Sequence, residues 1–277
     1  MPELPEVETT IRYLRPALLG EVIRDLTASN RGESHFNIPF SEVQERIIGT
    51  KTAALNRLGK WMLFEFLNPE ENSELKAVGH LRMSGRYKIA DEVIKHPHNR
   101  FQIHLENGRI INYIDQRRFG TFHFVEDFKN HKALAALGPD ILAADFTAEQ
   151  LYEGLRKTKK PLYSALLDQS IVAGLGNIYV NETLHAAGLH PLMPGLAITP
   201  TQAERLLREA RRILTLALEM KGTTLIDNLY QDPEGKTGQF AKMLQVYGKK
   251  SDPDVEVLKI GGRSVFVHRN TKPTFSH

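Results

Sequence analysis

Phe101-Gln102-Ile103-His104-Leu105-Glu106-Asn107-Gly108-Arg109-Ile110-Ile111-Asn112-Tyr113-Ile114 is the stretch that decides the fold of the first half of the chain. Phe101, Ile103 and Leu105 alternate with polar residues, the period at which a strand returns to the same face of a sheet. Asn107-Gly108 follows, a pair that tolerates the positive φ of a tight turn and is the strongest short-range hairpin signal. Ile110, Asn112 and Ile114 lead back. Upstream, Trp61, Leu63 and Phe66 lie in another apolar run. Short strands at this spacing between residues 21 and 125 predict an antiparallel sandwich or barrel.

The flanks read differently. Val7, Ile11, Leu14 and Leu18 recur at helical spacing, with Pro16 and Gly20 expected to close the segment. Residues 127–145, containing Gly138-Pro139-Asp140, read as a linker. Beyond it, Thr147-Ala148-Glu149-Gln150 is a capping box before Leu151 and Leu155. Pro161 opens a helix with Leu162, Ala165 and Leu166 on one face, Asn177 can cap a third, and Thr199-Pro200-Thr201-Gln202 caps a long fourth ending near Gly222. From Leu244 to His277 the pattern is again strand-like: Val255, Val257 and Ile260, then Val265 and Val267, around Gly261-Gly262. These elements predict an α+β protein of two domains, residues 1–135 and 145–277.

A chain of 277 residues with 41% hydrophobic and 25% charged content is ordinary for a globular protein. A net charge of +3 and a pI near 8.9 permit an acidic partner without requiring one. No run approaches the roughly 20 apolar residues of a membrane helix and no signal-peptide pattern is present, so no membrane and a cytoplasmic, nucleoid-associated location are expected. The absence of cysteine excludes disulfides, thiolate catalysis and Cys-ligated metal sites. The 11 histidines form no His-x-x-x-His pair and read as structural or surface residues.

The chemistry is concentrated in Met1-Pro2-Glu3-Leu4-Pro5-Glu6-Val7-Glu8. Loss of the initiator methionine, favoured by a small second residue, would leave Pro2 with a terminal secondary amine. Such an amine condenses with an aldehyde-like carbon to a charged iminium. Its pKa lies near about 7.7–8.0, against roughly 10.4 for lysine, so an appreciable fraction is a free nucleophile at neutral pH. Glu3 stands beside it as proton donor and acceptor. The same residues also read as a plain helix start, with Pro5 in the first turn and acidic side chains favoured by the dipole.

Four further segments accompany this terminus: Asn56-Arg57-Leu58-Gly59-Lys60, His80-Leu81-Arg82-Met83-Ser84-Gly85, Asp115-Gln116-Arg117-Arg118-Phe119-Gly120, and Leu167-Asp168-Gln169 running on to Ala173-Gly174-Leu175-Gly176-Asn177-Ile178-Tyr179. In this order, from Pro2 to about Arg263, the chain resembles the formamidopyrimidine-DNA glycosylases, bifunctional base-excision repair enzymes related to endonuclease VIII. The resemblance implies an N-terminal antiparallel β-sandwich with flanking helices, and a helical domain with a helix–two-turn–helix element. It makes Pro2, Glu3 and Lys60 catalytic. Met83, Arg117 and Phe119 would fill the space left by an everted nucleotide, although elsewhere Met83 and Phe119 would read as plain core residues. Arg118 reads equally as a salt-bridge partner or a phosphate contact. Gly176, Asn177 and Tyr179 would contact DNA from the helix–two-turn–helix, and Arg263 from a finger hairpin.

Relatives commonly end in a four-cysteine zinc finger; here the hairpin, about residues 244–277, would be zincless, since His268 and His277 cannot close a four-ligand site. It must be held by packing of Val257, Ile260, Val265 and Phe266. The family's usual lysine falls on Ser164, its usual arginine on Ile226, and Gly222–Gly238 resembles its lesion-capping loop. The expected protein is a glycosylase and abasic-site lyase for oxidised purines, needing no cofactor and acting as a monomer on double-stranded damaged DNA. An endonuclease VIII-like enzyme for oxidised pyrimidines and a non-catalytic damage-binding protein are the alternatives.

Overall fold

The computed structural model describes residues 1–225 and 229–271. The elements run α1 (Leu4–Leu18), β1 (Ile23–Ala28), α2 (Phe40–Ile47), β2 (Lys51–Leu58), β3 (Trp61–Asn68), β4 (Ser73–His80), β5 (Arg86–Ala90), β6 (Asn99–Leu105), β7 (Ile110–Ile114), β8 (Thr121–Val125), α3 (Lys132–Ala135), α4 (Ala148–Leu155), α5 (Leu162–Leu167), α6 (Asn177–Ala186), α7 (Pro200–Glu219), β9 (Val255–Ile260) and β10 (Arg263–His268). Two compact units form, Met1–Ala135 with Met220–Gln239, and Ala136–Glu219 with Phe240–His277.

The first unit holds two antiparallel four-stranded sheets, ordered β1-β6-β7-β5 and β2-β3-β4-β8. The hairpin expected at Asn107-Gly108 pairs Phe101 with Tyr113 and Ile103 with Ile111. Its loop has three residues: the Leu105 N–H donates to the Arg109 carbonyl at 2.9 Å, and Gly108 takes the left-handed conformation at φ +87°. One core joins Val7, Ile11 and Leu14 of α1 to Phe101 and Tyr113 of one sheet and Phe64, Phe66 and Phe122 of the other. Each of these phenylalanines is almost wholly buried, a contribution of about 1.5–3 kcal/mol apiece. Pro16 does not end α1 but lies in its last turn, and the helix runs on to Leu18 before Gly20 at φ +77°.

In the second unit the capping boxes at Thr147/Gln150 and Thr199/Gln202 open α4 and α7. α7 turns Ala203, Leu206, Leu207, Ala210, Ile213, Leu214 and Ala217 inward. α6 is buried over its whole run from Ile178 to Leu184, so it is the central element of this unit. Asn177 is its first residue, not its cap; Gly176, in extended conformation, takes that place. β9 and β10 form a separate hairpin around Gly261-Gly262, both with positive φ.

The unit boundaries differ from the expected domains. The stretch after Ala135 packs with the second unit, because the Arg211 guanidinium donates to the carbonyls of Ile141 and Ala143 at 3.0 and 2.7 Å. Met220–Gln239 returns to the first unit. There the Ile89 N–H donates to Pro233 at 3.0 Å and the Arg86 guanidinium to the Leu229 carbonyl at 3.1 Å.

Candidate active site and nucleic-acid interface

In the first unit, Pro2 and Glu3 are buried at the leading end of α1, with Glu3 as its N-cap. The Glu3 N–H donates to one oxygen of Glu6 at 2.8 Å, and the other oxygen of Glu6 accepts the Thr223 N–H at 2.7 Å. Buried hydrogen-bonding groups need partners, and here one carboxylate serves two backbone segments. The role of Glu6 was missed in the sequence, although Glu3-x-x-Glu6 is a capping-box spacing that signals it.

Lys60 follows Gly59 (φ +57°) in the β2–β3 turn and is largely buried. Arg57 braces this turn against α1, donating to the Gly59 carbonyl at 3.0 Å and to Glu8 at 3.0 Å. The Arg15 guanidinium adds two bonds to the Leu55 carbonyl at 3.1 and 2.9 Å. α1 and the Lys60 hairpin are therefore fastened to each other. His80 accepts the Arg82 N–H at 2.9 Å, and its pKa falls from 6.5 to about 3 through burial and the nearby charges of Arg82 and Lys60. It is neutral at physiological pH.

Met83 is half-buried in the turn between β4 and β5. Arg117, Arg118 and Phe119 are exposed between β7 and β8, and the Arg117 guanidinium stands 4.8 Å over the Phe119 ring. Phe119 is 53% exposed, a large apolar surface left open on a loop. Arg118 adopts φ +59° and makes no ion pair with a carboxylate among the described residues.

In the second unit, Gln169 fixes the loop before α6, donating to the Leu175 carbonyl at 2.9 Å and accepting the Gly174 N–H at 3.0 Å. Asn177 is partly exposed, and its side-chain oxygen accepts the Tyr163 hydroxyl at 2.6 Å. Tyr179, expected to contact DNA, is fully buried, with its ring 5.7 Å from that of Phe240. Ser164 lies partly exposed on α5, and Ile226 falls outside the described residues.

Arg263 is exposed at the turn end of β10. The finger core consists of Val246, Val255 and Phe266 with Tyr247 packed on it; Val265 is also buried, while Val257 is 37% exposed and Ile260 lies toward the turn. Val257 and Ile260 therefore do not hold the hairpin as expected, because β9 is its outer strand. The anchors come from α6. Glu182 accepts the N–H groups of Gln245, Val246 and Tyr247 at 2.8, 3.0 and 2.8 Å, and Asn181 accepts that of Phe266 at 2.6 Å. Sequence reasoning missed both, because polar residues are spread through α6 and only its burial shows that Asn181 and Glu182 need internal partners. Among the described residues no group of three or more His, Asp or Glu side chains is placed to share a metal ion; His277 lies outside them.

The family model of the formamidopyrimidine-DNA glycosylase N-terminal domain matches residues 1–122, and that of the H2TH domain of the same glycosylases matches residues 137–228. The chain belongs to the formamidopyrimidine-DNA glycosylase family. It is accordingly a DNA glycosylase, an enzyme of base excision repair. The formamidopyrimidine-DNA glycosylase of Escherichia coli O6:H1 is 36% identical over 254 residues, 91% of this chain and 90% of its own. The MutM (Fpg) structure from Thermus thermophilus superposes with a TM-score of 0.86 at 33% identity, covering 98% of both chains. The wild-type Lactococcus lactis Fpg, in complex with DNA containing N7-benzyl-Fapy-dG, superposes with a TM-score of 0.86 at 27% identity, over 99% of this chain and 100% of that one.

Proposed function

We propose that this glycosylase removes oxidised purines, 8-oxoguanine and formamidopyrimidines, from double-stranded DNA and then cleaves the abasic strand. The observation that carries the reading is the placement of Pro2 and Glu3, buried together at the leading end of α1 with the Glu3 N–H held by Glu6. With Met1 removed, the Pro2 amine attacks C1′ of the everted nucleotide. The bond from C1′ to the base breaks and the base leaves protonated, while Glu3 exchanges a proton with the opening sugar ring. The iminium acidifies the neighbouring sugar carbon. Loss of that proton expels the 3′ phosphate, and a second elimination expels the 5′ phosphate.

Extruding a nucleotide costs a few kcal/mol and leaves a gap in the stack. Met83 occupies the gap, Arg117 hydrogen-bonds the orphaned base, and Phe119 wedges the neighbouring step. Lys60, Asn177 with the Gly176 backbone, and Arg263 hold phosphates. The enzyme works as a monomer, without metal or organic cofactor, in the cytoplasm at the nucleoid; among the described residues no helix is long and apolar enough to cross a membrane. The DNA-bound relatives support a damaged-DNA partner.

Borohydride reduction in the presence of duplex containing 8-oxoguanine is expected to trap a covalent adduct at residue 2, after mass spectrometry has confirmed loss of Met1. No adduct with either that duplex or abasic DNA would favour a non-catalytic damage binder. Ser164, in place of the family's usual lysine, keeps an oxidised-pyrimidine preference as the second reading. A panel of defined lesions decides between the two.

A further inference from the structure

We propose that Ser84 and Asp115 are positioning residues for base extrusion, locking the turn that carries Met83 to the loop that carries Arg117 and Phe119 so that all three side chains enter the duplex as one rigid wedge. The inference rests on the void-filling roles proposed above.

Asp115 is fully buried. One carboxylate oxygen accepts the Ser84 hydroxyl at 2.5 Å and the Arg117 N–H at 3.2 Å; the other accepts the Gly120 N–H at 2.9 Å and faces the His35 Nε2 at 3.3 Å. The Ser84 hydroxyl oxygen also accepts the Arg117 N–H, at 3.0 Å. Ser84 immediately follows Met83, and Arg117 to Gly120 brackets Phe119. A single carboxylate thus ties both probe-bearing loops together. Burial alone would raise its pKa, yet hydrogen bonds from His35, Ser84 and Gly120 bring it down to about 2, so the acceptor is ionised at neutral pH.

Two further features need such a lock. Arg82 (φ +54°) and Arg118 (φ +59°) each adopt the left-handed conformation directly before a probe residue, Met83 and Phe119. Side chains rarely hold that conformation unless the surroundings impose it. The loops also close on one atom. A Cβ on Gly85 would lie 2.3 Å from the Tyr113 hydroxyl and one on Gly120 only 1.8 Å from it. Tyr113 therefore fits between the two glycines and leaves neither loop room to shift alone.

The test uses the full chain with Met1 removed and three measurements: single-turnover excision of 8-oxoguanine from duplex, cleavage of a preformed abasic site in single-stranded DNA, and fluorescence of 2-aminopurine beside the lesion. Ser84→Ala and Asp115→Asn are expected to slow duplex excision by about tenfold or more and to blunt the 2-aminopurine signal. Single-stranded cleavage, which has no stack to fill, should stay close to wild type. In an Arg117→Ala background Ser84→Ala should cost less than it does in the wild type, because part of its effect acts through Arg117. Additive losses, or equal losses on duplex and single strand, overturn the proposal. So does wild-type excision by Ser84→Ala and Asp115→Asn while Arg117→Ala is slow, and the void-filling roles then survive. If Arg117→Ala and Phe119→Ala are themselves silent, the void-filling reading fails and the lock falls with it. Should Asp115→Asn melt early, Ser84→Ala, which removes one hydroxyl, decides.

Discussion

The carboxylate of Glu6 accepts the backbone N–H of Thr223, 217 residues further along the chain, at 2.7 Å, and with its other oxygen holds the N–H of Glu3 at 2.8 Å. The residue beside the proposed nucleophile and the start of the returning segment 220–239 thus share one buried acceptor. Glu6→Ala leaves two buried N–H groups without that partner, a cost of about 1–3 kcal/mol each. Excision of the base should fall more than cleavage of a preformed abasic site, and amide exchange at Thr223 should accelerate. Unchanged exchange at Thr223 would remove Glu6 as the tether.

Replacing the secondary amine by a primary one separates binding from covalent chemistry. Pro2→Gly is expected to keep DNA affinity and to lose most of the borohydride-trapped adduct. Glu3→Gln should block base excision while leaving part of the lyase action on a preformed abasic site. An unaltered excision rate in Glu3→Gln excludes Glu3 from proton transfer.

If Lys60, Asn177 and Arg263 hold phosphates, affinity must fall steeply with salt, since each neutralised phosphate releases counterions. Substituting Lys60 or Arg263 should each flatten the log–log slope by about one. A salt-independent affinity contradicts the binding mode as a whole.

Local signals carried much of the fold. Asn107-Gly108 marks a real hairpin, and the boxes at Thr147 and Thr199 open real helices, because turn and cap chemistry act within a few residues. What escaped was non-local. Nothing near Thr223 in sequence points to Glu6, so Met220–Gln239 read as part of the second domain. Alternation also cannot say which strand of a hairpin faces the body. β10, whose Phe266 N–H reaches Asn181, is the inner strand, so Val257 on β9 is left at the surface. Tyr179 was assigned to DNA by resemblance, not by period, and a helix buried all round has no face that a period could single out as exposed.

His80 makes stability depend on pH in a defined direction. Its folded pKa of about 3 lies below the ordinary 6.5, so the unfolded chain binds a proton first. The stability it contributes is full above about pH 6.5 and is lost as pH falls from there towards 3. Between pH 6.5 and 5 the loss should be on the order of 2 kcal/mol. Urea midpoints over this range should decline less steeply for His80→Gln. Identical slopes would show that His80 does not titrate in this way.

The finger is anchored by α6 through four backbone amides, three on Glu182 and one on Asn181, beside the apolar cluster of Val246, Val255 and Phe266. These groups hold the hairpin without any thiolate, since the chain contains no cysteine. Chelator treatment should leave activity and Tm unchanged, and elemental analysis should find no stoichiometric zinc. Phe266→Ala, at a site only 5% exposed, should cost about 3–5 kcal/mol locally and weaken DNA binding through the hairpin that carries Arg263. Glu182→Ala strips three N–H groups of their acceptor at about 1–3 kcal/mol each, so it should loosen the same hairpin while the first unit keeps its fold. Inactivation by chelator with recovery on added zinc would overturn the metal-free finger. Wild-type DNA affinity in both Phe266→Ala and Glu182→Ala would leave it metal-free and refute the anchoring.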